Sequence, residues 1–284
     1  MSQIKLTECP RDAMQGLHDF APTDVKAHYI NLLLKCGFDT IDFGSFVSPK
    51  AIPQMQDTAA VLDKLDMGST QSKLLAIIAN YRGAEEAAQH EAITYLGFPF
   101  SISETFQMRN TNSTIDASFD VVKKMQELCV KKNKNLLVYL SMGFGNPYGD
   151  IWNTELVLSW AEKLIAEGIN DISLADTIGM ASPEQIRELY PLLTNAFPGI
   201  NFGIHLHSTP DSWFEKIDAA YQSNCRHFDT ALKGYGGCPM AKDDLTGNIA
   251  TENVLSYLDE KGIDTGVNMA YFTEAMSYSG RVFG

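Results

Sequence analysis

No two cysteines in the 284-residue chain are spaced as CxxC. The five present, Cys9, Cys36, Cys129, Cys225 and Cys238, are odd in number and scattered. That argues against a thiolate zinc site and against a disulfide framework. No apolar run approaches the roughly 18 residues of a membrane span. The opening residues, MSQIKLTECPRD, hold no apolar stretch of signal-peptide length. Positive charge is also short: 22 Lys and Arg stand against 35 Asp and Glu, for a net charge of −13. Such a surface is wrong for bulk nucleic-acid or anionic-membrane binding, although an anionic small molecule needs only a local patch. The expectation is a reduced, cytoplasmic protein with no nucleic-acid or membrane partner. No low-complexity linker or shift of composition marks a second domain, and no GxGxxG follows the first apolar run.

What is present is an alternation. Eight short apolar runs read as strands: QIKLTE, TIDFGSFV from Thr40, KLLAIIAN from Lys73, YLGFPFSIS from Tyr95, LLVYLSMGF from Leu136, DISLADT from Asp171, NFGIHLHS from Asn201 and HFDTAL from His227. Helical patterns lie between them. Thr23 to Cys36 puts Val25, Tyr29, Leu32, Leu33 and Cys36 on one stripe, with Gly37 as a stop. ASPEQIRELYPLL opens with Ser182 as N-cap, Pro183 at the first helical position and Gln185 as capping-box partner. Thr209 and Pro210 are expected to open the next helix, with Trp213, Phe214, Ile217, Ala220 and Tyr221 facing inward. Near-continuous apolar strands alternating with helices mean a parallel sheet covered by helices. Eight such units fit a (β/α)8 TIM barrel over about residues 1–265, within a single domain of residues 1–284. The tail from about 266 reads as one or two helices packed on the end of the barrel.

In a TIM barrel, chemistry sits at the C-terminal ends of the strands. His205 and His207 are two of only six histidines, and the period of a strand puts both on one face. They are either hydrogen-bonded core histidines or ligands for one ion. Arg11 and Asp12 follow the first strand, as a simple surface ion pair or as groups facing the same mouth. Asn248 is a helix N-cap or a fourth ligand through its amide oxygen. One carboxylate, two imidazoles and an amide, with no thiolate, suit Mg²⁺ or Mn²⁺ better than Zn²⁺. Cys238, in the loop GYGGCP, is a small buried hydrophobe or a thiol carried over the mouth.

The segments PRDAMQG, SFVSPKAIPQMQD, SLADTIGMASP, HLH and GGCP…GNIATEN stand in this order from about residue 8 to 254. In them the chain resembles the 3-hydroxy-3-methylglutaryl-CoA lyase family, within the wider group of metal-dependent aldolase-type TIM barrels. The resemblance implies that Asp12, His205, His207 and Asn248 bind a divalent cation and that Arg11 faces the thioester carbonyl. It further implies that Cys238 rides on a flexible loop and that Gln15, Ser45, Ser173 and Thr177 line the substrate pocket. The implied substrate is an acyl-CoA, the base Asp12 or His205, and the assembly a homodimer.

Three departures stand out. Asp42 occupies a position where the lyases usually carry glutamate, which draws a carboxylate back by about 1.3–1.5 Å, one C–C step. Ser208 follows His207 where an acid is usual. The loop from Cys238 to Asn248 is one residue longer than usual. A condensing acyltransferase of the isopropylmalate or citramalate synthase type is the alternative activity, and the end at Gly284, without a long regulatory region, favours the lyase. The remaining alternative is a degenerate barrel that keeps the ion site without catalysis.

Overall fold

The computed structural model describes residues 3–237 and 246–284. Ten strands form among them: β1 (Lys5–Glu8), β2 (Thr40–Ser45), β3 (Lys73–Ile77), β4 (Ile93–Ser101), β5 (Asn135–Ser141), β6 (Asp171–Ala175), β7 (Asn201–His205), β8 (His207–Ser208), β9 (His227–Thr230) and β10 (Gly247–Asn248). β1 to β7 and β9 close into a parallel barrel, sealed where β9 pairs with β1 in the register Lys5↔His227 to Glu8↔Thr230. These are the eight runs read from the sequence. They were legible because strands covered on both faces must be apolar almost throughout; β2 is buried at all six positions.

Two apolar layers hold the barrel. The larger lies between strands and helices, where Ile30, Leu33, Leu74, Leu96, Leu164 and Leu189 are all inaccessible to solvent. The smaller fills the barrel's interior with Leu75, Ile77, Leu137 and Tyr139. The rest of the interior is polar: register sets Tyr139 beside Ser173, Thr7 beside Asp229, and His205 beside Asp229.

The helix Thr23–Cys36 ends at Gly37 with φ of +84°, the left-handed stop expected from its sequence. The helix Pro183–Ala196 carries the complete capping box of Ser182 and Gln185. Two expectations need correction. Thr209 and Pro210 do not open the next helix; it runs Trp213–Gln222, because Thr209 N–H donates to the Ser212 hydroxyl and Ser212 N–H donates to the Thr209 carbonyl, closing a turn there. On that helix Lys216, Ile217, Ala219 and Ala220 are buried, whereas Phe214 is largely exposed. The tail does not simply cap the barrel's end. Its helix Met269–Tyr278 lies outside, along Thr23–Cys36, with Phe272 edge-on to Phe38. Only the final turn, Gly280–Phe283, reaches the mouth, where Phe283 stacks on Tyr235 at 4.2 Å. Among the described residues no helix is long and apolar enough to cross a membrane.

At the seam, Glu8 is fully buried and accepts from Leu232 N–H (2.7 Å) and the Thr251 hydroxyl (2.5 Å). Burial pushes its carboxyl up to about 8, against the lowering by these bonds. The folded chain therefore holds this proton to higher pH than the unfolded chain. The resulting stabilisation is complete below about 4.5, the ordinary value, and is lost as pH rises through about 8. Glu8→Gln can keep both hydrogen bonds and has no proton to lose. Its melting temperature is expected to gain on the wild type between pH 5 and pH 8; parallel curves would refute the buried proton.

Candidate active site

A cavity of about 830 Å³ opens at the C-terminal ends of the strands, with Arg11, Asp12, Gln15, Tyr139, Thr177, His205 and His207 in its wall. Arg11, Asp12 and Gln15 belong to one short helix, Pro10–Gln15, directly after β1. Proline at its first position starts the helix without needing an N–H partner, and a single turn brings the three side chains together. Arg11 Nη1 donates to Asp12 (2.9 Å) and to Gln15 (3.0 Å). Gln15 also donates to Asp12 at 2.8 Å.

The other edge of Arg11 meets Asp42 on β2: Nε donates to Oδ2 at 3.0 Å and Nη2 at 2.5 Å. Four of the five guanidinium N–H groups are thereby used, leaving one on Nη2. Asp42 therefore belongs to the site as the clamp that fixes Arg11. Burial pushes the Asp42 carboxyl up to about 6, against the pull of Arg11. For Asp12, burial acts upward too, but the Arg11 guanidinium leads the influences that bring the carboxyl down to about 2.

The histidines have defined tautomers. His205 Nδ1 lies 3.2 Å from Asp229 Oδ2, and His207 Nδ1 lies 2.8 Å from the Asp176 carbonyl. Each Nδ1 faces an acceptor only and so carries a hydrogen, which leaves Nε2 of the neutral ring with a lone pair; against burial, Asp229 raises the pKa of His205. Among the described residues, the buried His207 Nε2 has no hydrogen-bond partner. Burial and the neighbouring His205 lower the pKa of His207, so the ring stays neutral. Ligand atoms of Asp12, His205 and His207 all lie within 4.8 Å of one another.

Asn248 is not the N-cap of the following helix, a place held by Ala250. It pairs in β10 opposite His207 of β8, which brings it to the site from 41 residues further on. Its Nδ2 donates to Asp12 Oδ2 (2.7 Å) and to the Tyr235 carbonyl (2.9 Å), so the amide nitrogen, and not the oxygen, meets Asp12. Gly236 is required beside it: φ is +85°, and a Cβ there would stand 2.7 Å from the Asp12 carbonyl and 2.9 Å from Asn248 Nδ2.

Of the expected pocket residues, Gln15 and Thr177 are in the cavity wall, Thr177 also accepting from Met142 N–H. Ser45 and Ser173 are buried outside that wall. The Ser45 hydroxyl accepts from Val47 N–H, and Ser173 Oγ has no partner among the described residues. Cys238, and the loop length read around it, lie outside the described residues. Lys50 is exposed, and Arg109 packs over the Tyr148 ring at 4.7 Å. Sequence reasoning missed Tyr139, whose buried hydroxyl has no partner among the described residues and whose ring stands edge-on to His205 at 5.8 Å. In a strand of Leu, Val and Tyr nothing distinguished it from packing. It also missed Asp229 and Lys216.

The HMGL-like family model matches residues 4–278. The chain belongs to the HMGL-like family. A hydroxymethylglutaryl-CoA lyase of Bacillus subtilis is 32% identical over 274 residues, 95% of this chain and 89% of that protein. The mouse mitochondrial hydroxymethylglutaryl-CoA lyase is 32% identical over 276 residues, 96% and 83% of the two chains. Among solved structures, an HMG-CoA lyase from Acinetobacter baumannii in complex with coenzyme A and 3-methylmalate superposes with a TM-score of 0.92. It is 31% identical, covering 99% of this chain and 92% of that one. As an HMGL-like protein the chain is an enzyme of the lyase type. Family membership also accounts for the TIM barrel and its loaded mouth.

Proposed function

We propose that the protein is a divalent-metal-dependent lyase, one catalytic unit, cleaving 3-hydroxy-3-methylglutaryl-CoA or a close 3-hydroxyacyl-CoA analogue to acetyl-CoA and acetoacetate. The observation that carries the metal is His207 Nε2, a buried lone pair with no partner among the described residues, within reach of Asp12 and His205. A buried polar atom left unmet costs free energy unless something binds it. One carboxylate and two neutral imidazoles fit Mg²⁺ or Mn²⁺, with Asn248 alongside. When bound, the ion supplies Lewis acidity that lowers the pKa of a substrate hydroxyl.

The residues of the chain do the rest. The hydroxyl proton passes to Asp12 or His205. His205 can take it only at Nε2, since Nδ1 already carries a hydrogen, so where Nε2 holds the ion the proton goes to Asp12. As C2–C3 breaks, the bonding pair moves to the acetyl-CoA fragment as its enolate. Arg11, with one N–H unengaged and two carboxylates fixing its plane, faces the oxygen where that charge collects. Cys238 or a water returns a proton to C2. Gln15, Thr177 and Tyr139 line the space for the acyl group, and Ser45 and Ser173 support it from behind. The cavity is large enough for the acyl end of a CoA thioester, and the coenzyme A complex of the Acinetobacter enzyme supports the acyl-CoA assignment.

The test is purified protein with Mg²⁺ or Mn²⁺ and 3-hydroxy-3-methylglutaryl-CoA, following acetoacetate. Formation that EDTA abolishes and added Mn²⁺ restores is expected. CoA release from acetyl-CoA and a keto acid, with no acetoacetate, would replace the lyase by a condensing acyltransferase.

A further inference from the structure

Lys216 is almost wholly buried on the helix Trp213–Gln222, at 4% exposure. Burying an ammonium is costly unless its charge and all its donors are met. Here all three are: Asp176 Oδ2 at 2.7 Å, the His207 carbonyl at 2.7 Å and the Gly179 carbonyl at 3.0 Å. Each acceptor lies in the segments that frame the ion site. The Asp176 carbonyl takes the His207 Nδ1 hydrogen, Asp176 N–H goes to the His205 carbonyl at 2.8 Å, and Asp176 Oδ1 takes Ala181 N–H at 2.9 Å. One ammonium thus ties the turn after β6 to the backbone of β8. Lys216 itself is not in the cavity wall.

We infer that Lys216 is a positioning residue: by clamping Asp176 and the His207 carbonyl it fixes the His207 ring with Nε2 toward the ion site. The inference rests on the ion-site reading above. It also gives the serine at 208 a context. Behind His207 this chain places a lysine–aspartate pair with no net charge, supplied by the helix, where the resemblance leads one to expect an acid at the next residue.

The experiment is a Mn²⁺ titration of the wild type, Lys216→Met, the double variant Asp176→Asn/Lys216→Met, and Lys26→Met. Lys26 is a second buried lysine, paired with Asp57 at 2.7 Å away from this network, and controls for loss of a buried ion pair. Lys216→Met is expected to weaken Mn²⁺ binding at least about 10-fold, the usual effect of losing a group that orients a ligand. Imidazole ¹⁵N spectra of the metal-free protein should show His207 losing its single Nδ1–H tautomer. Lys26→Met should lower the melting temperature but leave Mn²⁺ affinity within about twofold. If Lys216→Met does not fold, the double variant, which strands no buried charge, gives the same two readings. Wild-type Mn²⁺ affinity in the folded variant, or an equal loss in Lys26→Met, overturns the inference. A wild type that binds no Mn²⁺ overturns the ion-site reading instead, and the His207 tautomer then decides whether Lys216 positions the ring.

Discussion

His207→Ala is expected to remove Mn²⁺ binding and lyase turnover together. The Lewis-acid contribution of such an ion is several kcal/mol, and about 4 kcal/mol corresponds to about 10³ in rate. The fold should survive, because the side chain makes one hydrogen bond, to the Asp176 carbonyl. Calorimetric titration with Mn²⁺, thermal melting of the metal-free protein and kcat for acetoacetate formation measure the three parts. His205→Ala should lose metal and activity in the same way, and also strands Asp229, its Nδ1 partner. Turnover within about threefold of the wild type in either variant would end the metal assignment.

The second large effect separates charge stabilisation from ion binding. Arg11→Met should lower kcat by about 10²–10³, the loss seen when one preorganised donor to a developing oxyanion is removed. Mn²⁺ affinity should change far less, since a guanidinium, which stays protonated, has no lone pair to offer a metal. The single variant also leaves Asp42 buried without its partner, which costs about 3–5 kcal/mol of stability. The double variant Arg11→Met/Asp42→Asn should therefore melt near the wild type and remain as inactive as Arg11→Met. Recovery of activity with stability would mean that Arg11 only holds the fold and takes no part at the reacting carbonyl.

The strands were readable because a parallel barrel buries both faces of each one, and such burial writes itself as apolar runs bounded by turns. The paired histidines were readable because strand period fixes their side. Other parts had no such signature. Asp42 was visible as a carboxylate, but its two-point grip on Arg11 depends on the pairing of β1 with β2. The two-residue ladder between β8 and β10 is too short for any periodicity, so Asn248 read equally as a helix cap. Lys216 sat on an amphipathic helix where a lysine normally marks the solvent side. Its burial follows from an acceptor set contributed by two separate segments, the turn after β6 and β8. Tyr139 and Asp229 point into the barrel, where polar and apolar side chains follow the same alternation along a strand.

The site also sits across the barrel's closing seam. Asp12 follows the first strand, His205 ends the seventh, and Asn248 returns after the last one. Joining Asp12 to Asn248 closes a span of 236 residues, for which chain statistics give an entropic cost of about 5 kcal/mol. A nascent or partly folded chain therefore has no ion site at all. On the proposed ion-site reading, an ion acts as a late lock, slowing the parting of the segments that carry Asp12 and Asn248 without hastening their meeting, so added Mn²⁺ should lengthen unfolding times and leave refolding times unchanged.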